Sequence, residues 1–305
     1  MKPTILVTGA TGTVGAGLLK ELLPDQQAGS MRLVAVTRSA TAREAFREQG
    51  IANVAIDFSD RAGVAAATKG IDRLFLCTGY TVDMLEHSKV LLDAAAQAGV
   101  TQVVHLGALA PAGAGDLPHF VWHDYVEAYI ERQSWLWCHL RPRSFMQNAL
   151  ASLRGTVLRH FSGDARIEWI DAEDIARVAA AALRDPQLHH GRAYPLAEEA
   201  LTMAEVANVL ARHSGLPFTA EARDPVSQLP ALLKSGMDPV YAASLARATQ
   251  RVASSDARSA ATFDSVLQVT GRPGARWDDF AARHLTQLRS RPPREPKAPG
   301  TQEIS

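Results

Sequence analysis

Thr4-Ile5-Leu6-Val7-Thr8-Gly9-Ala10-Thr11-Gly12-Thr13-Val14-Gly15 stands near the start of the chain and decides its fold. Thr4 to Thr8 is a short apolar run that predicts a buried strand. The glycine-rich turn Gly9 to Gly15 follows, and Val14, Leu18, Leu19 and Leu22 then recur at helical spacing. Strand, glycine turn and helix, in that order, are the setting that a dinucleotide fingerprint requires. Gly9 permits a sharp turn, Gly12 lets the backbone approach a pyrophosphate, and Gly15 lets the helix pack close to the strand. The unpaired N–H groups of the first helical turn would then face the phosphates. Gly9, Thr11, Gly12, Thr13 and Val14 are the expected phosphate-binding residues.

Downstream, short apolar runs alternate with longer helical patterns. Leu33–Val36, Val54–Ile56, Leu74–Cys77, Val103–Leu106 and Trp135–Cys138 read as strands two to six. Ala40–Gln49, Arg61–Lys69, Val82–Ala98 and His119–Gln133 read as the helices between them. The alternation predicts a doubly wound parallel sheet of the Rossmann kind, with helices on both faces. The strands are continuously apolar, as a sheet covered on both sides demands.

After Pro142 the pattern changes. Ile167–Ile170 is a short strand, and Asp171 is a suitable N-cap for a helix through Arg184 that Pro186 terminates. Gly191–Leu196 is another short strand. Thr202-Met203-Ala204-Glu205 has capping-box spacing and opens a helix ending near Gly215. Residues 225–285 are rich in alanine and leucine and mostly helical. The expected division is therefore a nucleotide-binding domain over 1–150, with 165–186 returning to it. A smaller, mostly helical C-terminal lobe takes 151–164 and 187–288. Arg289–Ser305, rich in proline and charge, reads as a disordered tail. There is no internal repeat.

Composition excludes several function classes. The 305 residues carry 32 basic and 32 acidic side chains, so no net field favours nucleic acid or an anionic membrane. Cys77 and Cys138 lie inside apolar runs and read as buried thiols of a reduced compartment, not as a disulfide. No apolar stretch approaches the length of a membrane span. With a core strand beginning at Thr4, the reading leaves no room for a signal peptide. The expectation is a cytoplasmic protein, monomer or homodimer, with a small-molecule substrate and neither nucleic acid nor membrane as partner.

The end of the second strand chooses the dinucleotide. An acidic residue there bonds the ribose hydroxyl of NAD(H), whereas an arginine accepts the 2′-phosphate of NADP(H). Here the strand runs into Thr37-Arg38-Ser39, with no carboxylate before Glu44. The planar fork of Arg38 matches a phosphate and Ser39 adds a hydroxyl, so NADP(H) is expected over NAD(H). Asp57 and Phe58 fall where the adenine would lie; Asp57 would either accept from the adenine amine or begin the next turn. Thr78-Gly79-Tyr80 ends the fourth strand beside the nicotinamide half. There Gly79 permits close approach and Tyr80 would stack on a ring or pack at the loop.

Together with the glycine motif, six further segments resemble the NmrA-like branch of the atypical short-chain dehydrogenases/reductases. They are Asp57-Phe58-Ser59-Asp60, Gly70–Leu76, His123–Glu127, Leu140–Asn148 and Ile170–Ala176, and Val269-Thr270-Gly271-Arg272-Pro273 completes the likeness. The resemblance runs to about residue 287. It implies an NADP-binding domain and a small lobe closing a cleft over the nicotinamide. It does not imply one reaction. Members resemble quinone, dye and imine reductases, pathway isomerases, or non-enzymatic sensors of the NADPH/NADP ratio. The resemblance also places the loop of Phe145, Met146 and Asn148 beside nicotinamide and substrate.

The usual proton-relay residues of short-chain reductases are missing. Tyr125 is followed four residues on by Tyr129, and Tyr129 by Gln133, so no Tyr-x-x-x-Lys pair exists here. The strand-five serine is replaced by Gly107-Ala108. Where many relatives carry a lysine four residues before the helix glutamate, this chain has His123 before Glu127. His123 and Tyr125 are the remaining catalytic candidates. His123 has an intrinsic pKa suited to proton transfer near neutrality, or it would hydrogen-bond the nicotinamide ribose. His119, His123 and Glu127 share i, i+4, i+8 spacing, which often arises by chance in a helix, and no metal is expected. Phe145, Met146 and Asn148 form an apolar wall with one amide, which fits a flat aromatic or quinonoid ligand. The expected activity is an NADPH-dependent reductase passing hydride to a quinone, iminium or enone. The alternatives are a non-enzymatic redox sensor and a biosynthetic isomerase.

Overall fold

The computed structural model describes residues 2–254 and 260–290. Most of the segment read as a tail, 291–305, lies outside the described residues.

Seven strands form one parallel sheet: β1 (Thr4–Val7), β2 (Arg32–Val36), β3 (Ala52–Val54), β4 (Arg73–Leu76), β5 (Gln102–Leu106), β6 (Leu136–Pro142) and β11 (Arg192–Leu196). Their order across the sheet is β11-β6-β5-β4-β1-β2-β3. The order reverses between β1 and β4, and a doubly wound sheet binds ligands at that point, outside the carboxyl ends of its strands.

Helices cover both faces. On one side α1 (Thr13–Gln27), α7 (Ala172–Arg184) and α12 (Ser265–Thr270) bury Leu18, Leu22, Ile175, Ala179 and Val266 against Ile5, Leu33, Phe75 and Val104. On the other, α3 (Arg61–Thr68), α4 (Met84–Gln97) and α5 (Pro118–Glu131) bury Val64, Leu91, Trp122 and Val126 against Leu6, Leu74 and Val103. The outer helix α2 (Ala40–Glu48) buries no residue. Helices α1 and α7 approach closely because Gly17 has no side chain; a β-carbon there would stand 3.1 Å from the methyl of Ala176. As expected, Asp171 caps α7, accepting from the Glu173 N–H at 3.0 Å.

The structure moves several sequence-based boundaries. The third strand is Ala52–Val54, not Val54–Ile56. Thr37 N–H takes the Val54 carbonyl at 3.0 Å and closes the ladder, while Ile56 turns into the core. The sixth strand runs on to Pro142 because β5 and β11 pair with it on either side. Trp135, expected to start that strand, instead buries its ring and donates Nε1–H to the Ile130 carbonyl at 2.9 Å. Pro186 does end α7, and it also opens a short helix, α8 (Pro186–His189), capped by Asp185. Arg192–Leu196, assigned by sequence to the smaller lobe, is the edge strand of the large sheet and lies in register with Cys138–Pro142.

Apart from α7, α8, β11 and α12, which belong to the large sheet and its cover, the chain past β6 forms a smaller C-terminal region. Beside its helices it holds two three-stranded sheets. One joins β7 (Ser144–Phe145), β10 (Ile167–Ile170) and β12 (Glu199–Leu201); the other joins β8 (Leu153–Arg154), β9 (Val157–His160) and β13 (Thr219–Ala222). Around them lie α6 (Met146–Ala151), α9 (Met203–Ser214), α13 (Trp277–Arg283) and α14 (Leu285–Arg289), while α10 (Gln228–Lys234) packs on α11 (Pro239–Ser254), which lies against α5. The capping box is formed as read: Glu205 N–H reaches Thr202 Oγ1 at 3.1 Å and Thr202 N–H reaches Glu205 Oε2 at 2.8 Å. Gly215, at φ +76°, ends that helix.

Trp277 is the centre of the lobe's own core. It is fully buried, with edge-to-face contacts to Trp169 at 5.3 Å and Phe280 at 5.2 Å. Replacing Trp277 by Ala should cost about 3–5 kcal/mol, read as a lowered urea midpoint. A loss below about 1 kcal/mol would show that this cluster does not hold the lobe together.

Candidate active site

The glycine turn sits at the carboxyl end of β1, where its backbone makes room for a ligand. Gly9 adopts φ +62°, and a β-carbon there would approach Cys77 Sγ to 2.9 Å. Gly12 lies 3.2 Å, by the same measure, from the Gly9 carbonyl oxygen. Gly15 is the tightest of the three: a β-carbon would collide with the Gly9 carbonyl oxygen and stand 2.7 Å from its carbon. The close approach that Gly15 permits is thus to the turn itself, not to the strand. No side chain caps the N-terminus of α1, so the amides of its first turn stay open to a phosphate. Thr11, Gly12 and Thr13 are exposed there, and Val14 is buried beneath them.

Thr8, which the sequence reading did not single out, ties β1 to β4 at the switch point. Its hydroxyl accepts from the Cys77 N–H at 2.7 Å and lies 3.0 Å from the carbonyls of Phe75 and Cys77. The signal was present as a threonine ending an apolar strand, but its partner is set by the sheet alone.

Arg38 and Ser39 follow β2, both exposed. Ser39 caps α2, its Oγ accepting from Ala42 N–H at 3.2 Å, which leaves its hydroxyl proton free to donate. Asp57 begins a turn: it accepts from Ser59 Oγ at 2.7 Å and Ser59 N–H at 2.9 Å. These bonds, with the Arg38 charge, hold its carboxyl below the usual range. Phe58 stacks on His87 at 4.2 Å with the rings 16° apart, an aromatic surface at the carboxyl end of β3.

Beyond β4, Thr78 is half-buried and Gly79 exposed, while Tyr80 is 58% exposed with its ring 5.1 Å from that of Tyr241 on α11. Tyr80 therefore packs against the small lobe in this structure. The same helix meets α5 where Ser244 Oγ stands 2.6 Å from Nδ1 of the buried His119. A hollow of about 340 Å³ lies here, lined by Pro118, Pro239 and Arg247 among others; it is separate from the glycine turn. Phe145 is half-buried against the main core and opens α6, with Asn148 exposed. The loop it stands on is anchored through Arg143 to Glu168 (3.0 Å) and through Gln147 to Asp171 (2.6 Å).

On α5 the two catalytic candidates separate. Tyr125 is 64% exposed and lies two residues on from His123, so the helix turns it to another side. The structure does not bring it to His123, Glu127 or any other member of the set. His123 is turned inward, with Nδ1 buried and without a hydrogen-bond partner. Burial, helped by His119 nearby, pushes its pKa down to about 4. The expectation of a proton donor poised near neutrality therefore fails: at pH 7 this imidazole is neutral and offers an N–H. The i, i+4, i+8 trio also fails to act as a unit, since His119 is bound to Ser244. Among the described residues, the convergent group is instead His105, Glu127 and His139.

Comparisons with known proteins agree with this architecture. Residues 1–258 match the model of the NmrA-like family. The chain belongs to that family. It is 30% identical over 295 residues to an NAD(P)H azoreductase of Xenophilus azovorans, spanning 92% of this chain and 97% of the relative. It is 33% identical over 287 residues to a (4-alkanoyl-5-oxo-2,5-dihydrofuran-3-yl)methyl phosphate reductase of Streptomyces griseus, covering 92% and 97%. The fold is that of Citrobacter sp. triphenylmethane reductase in complex with NADP(H), with a TM-score of 0.76, 20% identity, and coverage of 92% and 99%.

His119 provides a test of the packing between α5 and α11. Burial lowers its pKa from 6.5 to about 4, so the unfolded chain takes up the proton first as pH falls. Its contribution to stability should be complete above pH 6.5 and decline as pH drops from there toward about 4. Urea midpoints across that window should flatten in His119→Gln, and the His119 ring resonances should not titrate above pH 5. A midpoint near 6.5 would place the ring in solvent.

Proposed function

We propose that the protein is an NADPH-dependent reductase acting on an electron-poor, conjugated small molecule of the quinone, iminium or enone type. One observation carries the reading: an uncapped helix start behind a glycine turn, at the carboxyl edge of a parallel sheet, with the Arg38 guanidinium exposed beside it. The names of the two sequence relatives support a reductase, and both name substrates with conjugated groups.

The residues present fit the cofactor. Gly9, Gly12 and the amides of Thr13 and Val14 would hold the pyrophosphate. Arg38 and Ser39 would take the 2′-phosphate, and Phe58 with Asp57 would border the adenine. Thr78, Gly79 and Phe145 would line the nicotinamide half, with Tyr80 closing it from the loop. When bound, the nicotinamide supplies a hydride to the acceptor. The protein's part is orientation and exclusion of water. His123, neutral at pH 7, donates an N–H to a ribose hydroxyl or to an acceptor oxygen, and water provides the net proton. Such acceptors suit a site without a Tyr-x-x-x-Lys pair: hydride turns a quinone or enone into a delocalised anion and an iminium into a neutral amine, so none needs a strong acid at the moment of transfer. That same missing pair favours one rival, a protein that binds NADP(H) and signals without turnover.

Steady-state NADPH oxidation against a panel of quinones, azo dyes and enones separates the two. The reductase reading expects at least one acceptor to raise the rate above background; tight NADPH binding with no turnover across the panel would replace it with the sensor. Arg38→Ala should weaken NADPH by roughly 10–100-fold, the range of a charge-assisted hydrogen bond, and leave NADH nearly unchanged. Equal losses would refute the phosphate assignment. The pH profile of kcat should lack an inflection near 6.5, and one that disappears in His123→Ala would return that residue to acid catalysis.

A further inference from the structure

Beneath α5 lies a polar layer that the reductase reading does not use. His105 on β5 and His139 on β6 are register partners, so both imidazoles leave the sheet on one side, toward α5. They are 1% and 0% exposed, with rings 5.5 Å apart in an edge-to-face contact. Glu127 enters the same space from α5, its Oε1 3.9 Å from His105 Nδ1. One donor atom from each of the three lies within 4.8 Å of the others. His123, one turn earlier on α5, places its ring 5.4 Å from that of His105.

Hydrogen bonding in this layer is incomplete. His105 Nδ1, both ring nitrogens of His139, and His123 Nδ1 are buried without partners. A buried polar atom left unpaired costs about 1–3 kcal/mol, and four in one place call for an occupant. Glu131 Oε1 stands 3.4 Å from His139 Nε2 without forming a hydrogen bond. The space is reserved by Gly107, where a β-carbon would come 2.9 Å from Glu127 Oε1 and 3.3 Å from the His105 ring.

The donor chemistry is selective. His105 and His139 are buried in the sheet face and their unpaired ring nitrogens face Glu127. Two imidazoles and one carboxylate, without sulfur, suit zinc and its neighbours better than calcium or magnesium. Arg141 donates to both oxygens of Glu127, fixing the carboxylate as outer partners fix metal-bound carboxylates.

We propose that His105, His139 and Glu127 hold a divalent transition-metal ion of the zinc class between the sheet and α5, with His123 at hand as a fourth donor. With His123 as the fourth donor the coordination is complete, so the role is structural: the ion pins α5 to β5 and β6. His105, His139 and Glu127 play no part in the reductase reading; His123 is the one residue the two share.

The full chain, stripped with a chelator, is dialysed against Zn²⁺ or Co²⁺ and assayed for metal content, visible absorption and thermal midpoint. Wild type should retain a single equivalent, show the ligand-field bands of low-coordinate Co²⁺, and melt higher with Zn²⁺. His139→Leu should lose all three signals, and His105→Gln should bind at least roughly tenfold more weakly. Far-UV circular dichroism checks that both variants fold. If His139→Leu fails to fold, wild type and His105→Gln decide the matter. Wild type that retains no metal, or no more than a folded variant, would overturn the site and leave ordered water as the occupant.

Discussion

The contact between Gly15 and the Gly9 carbonyl is the constraint on which the rest depends. Only a residue without a side chain allows the first turn of α1 to close onto the turn that precedes it. That closure fixes where the open amides of the helix point, and it does so beside the Thr8 hydroxyl that joins β1 to β4. The switch point of the sheet, the uncapped start of the helix and the close contact of Gly9 with Cys77 are thus set together. Neighbouring loops inherit their positions from the parallel sheet, which brings Arg38, Phe58, Thr78 and Phe145 to one edge although they are far apart in the chain.

The small lobe is attached to this frame by a few buried polar residues. Asp171 is fully buried and caps α7, yet it also accepts from Gln147 and pairs with Arg283 of α13. Asp174 accepts from the Ala275 N–H at 2.6 Å and pairs with Arg177. Removing one partner from such a buried pair leaves an uncompensated charge, so these residues set how the lobe meets the sheet.

The parallel sheet was legible because its strands are buried on both faces and read as unbroken apolar runs. Caps such as Asp171 and Thr202 were legible because their bonds are local. Gly191–Leu196 was readable as a strand, but nothing in so short a stretch says which sheet it joins. For the same reason the sequence did not reveal that His105 and His139 stand opposite each other; only the register of β5 and β6 does that. The depressed pKa of His123 was equally hidden, since it depends on burial beneath the helix and not on residue type. Tyr125 was grouped with His123 by proximity in sequence, and helix geometry turns the two apart.

The proposed function rests on one interaction: the phosphates of a nicotinamide dinucleotide held by the open backbone amides of the amino-terminal turn. Calorimetric titration of NADPH into the wild-type protein and into Gly12→Glu tests it most directly. Saturable heat in wild type, absent in a Gly12→Glu protein of unchanged melting temperature, is the expected result. No heat from either NADPH or NADH with wild type, or equal heat from both proteins, would contradict it.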